Sequence, residues 1–128
     1  MAVLAGTPLP RTPVVLAFSL FTNDDPRNVE ALDAAVRQSL TVLRPGGCAI
    51  WATIVRPKVG GVSYRAANDR LRALALELGP RLRVVDWNAA VKGNRRRWLR
   101  EDGVHATPEG YAARARMYAE AARGCSGR

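Results

Sequence analysis

One short stretch near the end of the chain brings together the residue types that acid–base chemistry needs: Asp102-Gly103-Val104-His105. His105 is the sole histidine, and an unshifted imidazole titrates near neutral pH, so it is the natural proton carrier if chemistry occurs here. A carboxylate three residues earlier can hold the ring in one tautomer and stabilise the imidazolium, the orienting role in a hydrolytic triad. Gly103 permits a tight turn between the two. Downstream, Thr107 can cap a helix and Pro108 suits its first position. The pair is therefore expected in a loop between a strand and the last helix, where catalytic side chains commonly sit. A plainer reading stands beside this one. Asp-Gly is a common turn dipeptide, and a lone histidine beside a helix start is often only a surface residue.

Other elements must place that stretch. Val14 to Leu20 is a near-continuous apolar run, too short for a helix and suited to a strand buried on both faces. Phe21 to Pro26 is a polar turn, with Asp25 before Pro26 expected to cap the helix that follows. Val29, Leu32, Val36, Leu40 and Leu43 fall on one helical face, and Pro45-Gly46-Gly47 stops that helix. Cys48 to Val55 is a second buried strand, followed by a loop from Arg56 to Gly61. Tyr64, Ala67, Leu71, Leu74 and Leu78 predict a second helix, closed by Gly79-Pro80. Leu82 to Trp87 is a third, shorter strand, with the Trp87 ring on the core and Asp86 capping the next turn. A basic loop then runs to Asp102, and Tyr111, Ala115, Tyr118 and Ala122 line a last amphipathic helix. Residues 124–128 form a tail.

Strands alternating with helices build a parallel sheet with helices on its faces. Sites in open sheets of this class lie at the carboxyl ends of the strands. Three polar clusters are expected there: Asn23-Asp24, Arg56 to Ser63, and Asp102 to His105. That convergence makes Asp24 and Arg56 candidates for substrate contact.

A chain of 128 residues suits one domain, here residues 14–123 behind an irregular lead-in of 1–13. Apolar content of 48% and charged content of 24% exclude general disorder. No apolar run reaches the roughly 18 residues that would span a membrane. Met1 to Pro13 does not have the pattern of a signal peptide. Cys48 opens a buried strand and Cys125 lies in the polar tail, so neither a disulfide framework nor a metal cluster is expected. The net charge of +9 raises nucleic acid or another polyanion as a partner. The basic residues are dispersed, which argues against nucleic acid, apart from Lys92-Gly93-Asn94-Arg95-Arg96-Arg97, which reads as a solvated loop, with a nucleic-acid patch or a clamp for an anionic substrate as alternatives.

The blocks on the page resemble those of a known family. Thr22-Asn23-Asp24 after an apolar strand is similar to the GxND block of SGNH (GDSL-type) hydrolases. Asp102 to His105, with the helix from Pro108, resembles their DxxH block, and Val84-Val85-Asp86-Trp87 with Trp98-Leu99 adds to the likeness. The match covers roughly residues 14–123 and looks like the C-terminal part of such a domain, especially those linked to carbohydrate O-acyl transfer or deacylation. It implies a three-layer α/β/α, flavodoxin-like fold with its N-terminal strands missing. It implies that His105 is the general base and then acid, that Asp102 orients it, and that the Asn23 amide donates to the oxyanion. Loss of one such donor typically lowers the rate ~100–1,000-fold. The substrate implied is an ester, an O-acetyl group on a carbohydrate, and the mechanism requires no metal or organic cofactor.

Two departures bear on activity. The family's nucleophilic serine stands in a Gly-Asp-Ser motif, which does not occur in this sequence. Ser19 falls in a strand, Ser39 on a helix and Ser126 in the tail, leaving Ser63 alone on the expected edge. Phe21 occupies the glycine position of the GxND block. The expectation is a truncated domain with little esterase activity by itself, its serine coming from a missing N-terminal half or another chain. The competing expectation is a non-catalytic module that binds a polyanion or a partner protein.

Overall fold

The computed structural model of the chain describes residues 14–18 and 25–125. The three apolar runs form parallel strands: β1 (Val15–Phe18), β2 (Cys48–Ala52) and β3 (Leu82–Val85). They lie side by side in that order, with Val15 beside Cys48 and Ala49 beside Leu82. Five helices accompany them: α1 (Val29–Thr41), α2 (Arg65–Leu78), α3 (Trp87–Val91), α4 (Arg95–Trp98) and α5 (Pro108–Ala121). The chain is thus a mixed α/β fold on a small parallel sheet, and no helix among the described residues is long and apolar enough to cross a membrane.

Every residue of β2 is buried, which is why its sequence, Cys-Ala-Ile-Trp-Ala, lacks the alternation of a half-exposed strand. Successive side chains point to opposite faces. Ala49 and Trp51 pack with Leu32 and Val36 of α1 and Leu71 and Leu74 of α2. Ile50 and Ala52 pack with Val85, Trp87, Val91, Leu99 and Ala113. Helices α1 and α2 therefore cover one face, and α3 and α5 the other. Ser39 is buried on α1 for a specific reason: its Oγ accepts the Trp51 indole N–H at 3.2 Å and donates to the Val36 carbonyl at 2.6 Å. A buried indole requires such an acceptor. Phe18 stacks on the same ring, with centroids 4.7 Å apart.

Four expectations are corrected. The basic segment after β3 holds α3 and α4 rather than a plain loop; the Asp86 carboxylate accepts from Ala89 N at 3.3 Å and so opens α3. Helix α1 is capped by Asn28, whose Oδ1 accepts from Ala31 N at 3.3 Å, while Asp25 pairs with Arg27. Helix α5 buries Gly110 and Ala113; of the expected face Tyr118 and Ala122 pack on the core, but Ala115 is exposed and Tyr111 is 48% exposed, so the inner face is rotated from the expected one. The cause is a close approach: any Cβ at Gly110 would collide with the Trp98 carbonyl oxygen, which fixes the side that faces α4. Finally, Cys48 and Cys125 form a disulfide with Cα atoms 5.6 Å apart. Their sequence separation of 77 carries no local signal of that pairing.

Candidate functional site

The Asp102–His105 stretch is held as a narrow turn. Leu99 and Ala106 form an antiparallel bridge at its base. Arg100 N donates to the His105 carbonyl at 2.8 Å, and Thr107 N donates to the Trp98 carbonyl at 3.0 Å. Gly103 turns the chain at φ +71°, a conformation that L side chains rarely adopt. Beyond the turn, the Thr107 hydroxyl accepts from Gly110 N at 3.1 Å and donates to the Arg97 carbonyl, with Pro108 opening α5. The turn is thereby anchored to α4 on one side and α5 on the other.

Within it, Asp102 uses both oxygens. Oδ1 accepts from Val104 N at 2.9 Å and His105 N at 3.0 Å, and Oδ2 lies 2.6 Å from His105 Nδ1. The His105 ring and the two backbone amides, in that order, hold the Asp102 carboxyl down to about 2. A carboxylate that is ionised at neutral pH and lies on Nδ1 favours the tautomer with its proton there and leaves Nε2 as the basic nitrogen. His105 Nε2 has no hydrogen-bond partner among the described residues, and the side chain is 66% exposed.

The loop after β2 lies against this turn. A Cβ at Gly103 would stand 3.5 Å from Pro57 Cγ. Arg56, next in the chain, lines a cavity of about 470 Å³ at the carboxyl ends of β2 and β3, together with Ser63, Arg65, Asn68, Asn88 and Lys92. Its floor is pinned by side chains. Asn68 is buried, accepting from Ile54 N at 2.6 Å and donating to Ile54 O at 3.0 Å. Asn88 Nδ2 donates to the same carbonyl at 3.0 Å. Beside them Asp86 receives Arg72 in a two-pronged contact at 3.0 and 2.9 Å and the Thr53 hydroxyl at 3.0 Å. Arg72 is the leading reason that the Asp86 carboxyl lies below its ordinary range.

Asp102 and His105 are therefore in contact, and Arg56 sits one residue from the side chain that touches their turn. Asn23 and Asp24 lie outside the described residues, as do Phe21, Ser19 and Ser126. Ser39 is committed to Trp51, and the Ser63 oxygen accepts from Arg65 N at 3.3 Å. Arg65, Lys92, Asn68 and Asn88 were not legible as a set, because two segments separated in sequence, α2 and α3 with its C-cap, assemble them. Among the described residues no three His, Cys, Asp or Glu side chains gather to hold a metal ion. No protein-family model, curated protein or solved structure matches this chain.

Proposed function

We propose that the chain carries the acid–base half of an SGNH-type acyl-transfer site, in a domain of the three-layer α/β/α kind. The observation that carries this reading is the 2.6 Å contact of Asp102 Oδ2 with His105 Nδ1, made while Oδ1 is held by two backbone amides. The contact sets up Nε2 to take a proton from a serine hydroxyl as its oxygen attacks an ester carbonyl. The imidazolium then returns that proton to the departing alcohol, with Asp102 stabilising the charge between the two events. Asn23 is the proposed oxyanion donor, and Asp24 and Arg56 the proposed substrate contacts. The substrate class is an ester, an O-acetyl group on a carbohydrate. The sequence contains no Gly-Asp-Ser, so the nucleophile comes from outside these 128 residues.

Two linked measurements test this. Nitrogen-15 spectra of the His105 ring are expected to show the Nδ1–H tautomer in the wild type and its loss in Asp102→Asn. Hydrolysis of p-nitrophenyl acetate by the isolated chain is expected to stay near background, and to be the same in Ser63→Ala. Strong turnover abolished by either His105→Ala or Ser63→Ala would refute an external nucleophile. An Nε2–H tautomer in the wild type would refute His105 as the base.

A second reading has its own support: Arg95 and Arg96 are exposed at the start of α4 in a chain of net charge +9. In that reading the chain is a non-catalytic module for a polyanion or a partner protein. Binding to duplex DNA that weakens steeply with salt would favour it.

A further inference from the structure

We propose that Gly110 is a positioning residue for His105: the absence of a side chain there seats the first turn of α5 on the Trp98 peptide, and that seat fixes both ends of the turn that carries the imidazole. This role rests on the reading of His105 as the base, and it names what keeps that base in place. The pair needs such a support. The His105 and Asp102 side chains are 66% and 47% exposed. An ion pair open to water contributes little by itself, because two mobile side chains must be held in one geometry. The 2.6 Å contact between them therefore depends on the backbone that presents them.

That backbone is closed at one point. Trp98 ends α4, Thr107 caps α5, and their neighbours Leu99 and Ala106 are the bridged feet of the turn. Thr107 N donates to the Trp98 carbonyl at 3.0 Å. The Thr107 hydroxyl donates to the Arg97 carbonyl and accepts from Gly110 N at 3.1 Å. Gly110 lies against the same Trp98 peptide. A Cβ on it would collide with the carbonyl oxygen and stand 2.9 Å from the carbonyl carbon and 3.0 Å from Cα. All three are backbone atoms, which cannot swing aside as the end of a flexible side chain can. Trp98 is also held from behind. Its ring stacks on the buried Trp87 ring with centroids 5.6 Å apart, and its N–H is given to the Asn94 carbonyl at 2.9 Å. A larger residue at 110 must therefore lift α5 off α4. Lifting draws Thr107 away from Trp98 and Arg97, and so spreads Leu99 from Ala106 and Arg100 from His105.

The test compares Gly110→Ala with Ala112→Gly, an exposed position of α5 outside the seat. Glycine weakens a helix interior, so the second variant loosens α5 without touching Trp98. Thr107→Val removes the other half of the seat, and Thr107→Ser keeps its hydroxyl. Near-ultraviolet circular dichroism reports folding, nitrogen-15 spectra the His105 tautomer, and carbon-13 shifts the Asp102 midpoint. Gly110→Ala is expected to lose the preference for Nδ1–H and to raise the Asp102 midpoint by about one unit. Thr107→Val is expected to change both in the same direction by less. Ala112→Gly, although it melts at a lower temperature, and Thr107→Ser are expected to keep the wild-type tautomer and midpoint. A folded Gly110→Ala with the wild-type tautomer and midpoint would overturn the proposal. Equal changes in Ala112→Gly would also overturn it, by showing a general loosening of α5. Should Gly110→Ala not fold, Thr107→Val against Thr107→Ser decides by the same two readouts. An Nε2–H tautomer in the wild type refutes His105 as the base; the seat is judged only by how the Asp102 midpoint differs between variant and wild type.

Discussion

Two carboxylates on neighbouring loops are held ionised by different partners. Asp86 meets Arg72, Thr53 and the first turn of α3, and its pKa is lowered mainly by the guanidinium. Asp102 meets His105 and two backbone amides, and its pKa is lowered mainly by the imidazole. An arginine never gives up its proton in a protein, so the first cluster can only hold structure. An imidazole exchanges its proton readily, so the second can act. Packing follows the same division. Thr53 and Asn68, beside Asp86, are almost wholly buried, whereas the Asp102–His105 pair is open to solvent. The buried cluster is the wall, and the exposed turn beside it carries the proposed acid–base pair.

Substitutions separate the two. The largest effect is expected from Asn68→Ala, which leaves the buried Ile54 amide without its partner and its carbonyl with Asn88 alone. Urea unfolding is expected to show a loss of about 2–4 kcal/mol. A change under about 1 kcal/mol would show that the wall is not held as described. Asp86→Ala comes next, with a loss of about 1–3 kcal/mol, reduced because both Asp86 and Arg72 are partly exposed. The smallest effect is expected on the acid limb of stability. Both carboxyls are lowered in the folded chain, so each adds stability above the ordinary carboxylate value and loses it as pH falls through its own folded value. For Asp102 that window runs from 3.8 down to about 2. His105→Ala removes the leading cause, so the Asp102 midpoint, followed by carbon-13 shifts, is expected to rise toward 3.8 while that of Asp86 stays put.

The strands were legible as short apolar runs between turn residues, but only β2 is buried on both faces. Strand β1, expected to be buried likewise, has no fully buried residue because it stands at the edge of the described sheet, with Val15 39% exposed. Helices α1 and α2 were legible from spacing, since Leu32 and Val36, and Leu71 and Leu74, sit where the period places them. Helices α3 and α4 were not, because five and four residues are too few to display a period. The alanine-rich α5 has no decisive stripe; its orientation is set by the contact of Gly110 with Trp98, which only three dimensions reveal. The Asp102–His105 contact was legible because it spans three residues and needs only a turn. The basic cavity was not, since Arg56, Arg65 and Lys92 come from the loop after β2, the start of α2 and the end of α3, and become neighbours only after the sheet forms.

The Cys48–Cys125 bond joins the first residue of the central strand to the segment beyond α5. It closes a covalent ring that contains Arg56, Arg65, Lys92, Asp102 and His105. A single cut of the backbone within that ring opens it without parting it. Trypsin acting at the exposed Arg95 or Arg96 is therefore expected to leave one band on a gel run without reductant and two with it. A nicked chain that separates without reductant would show that the ring is open.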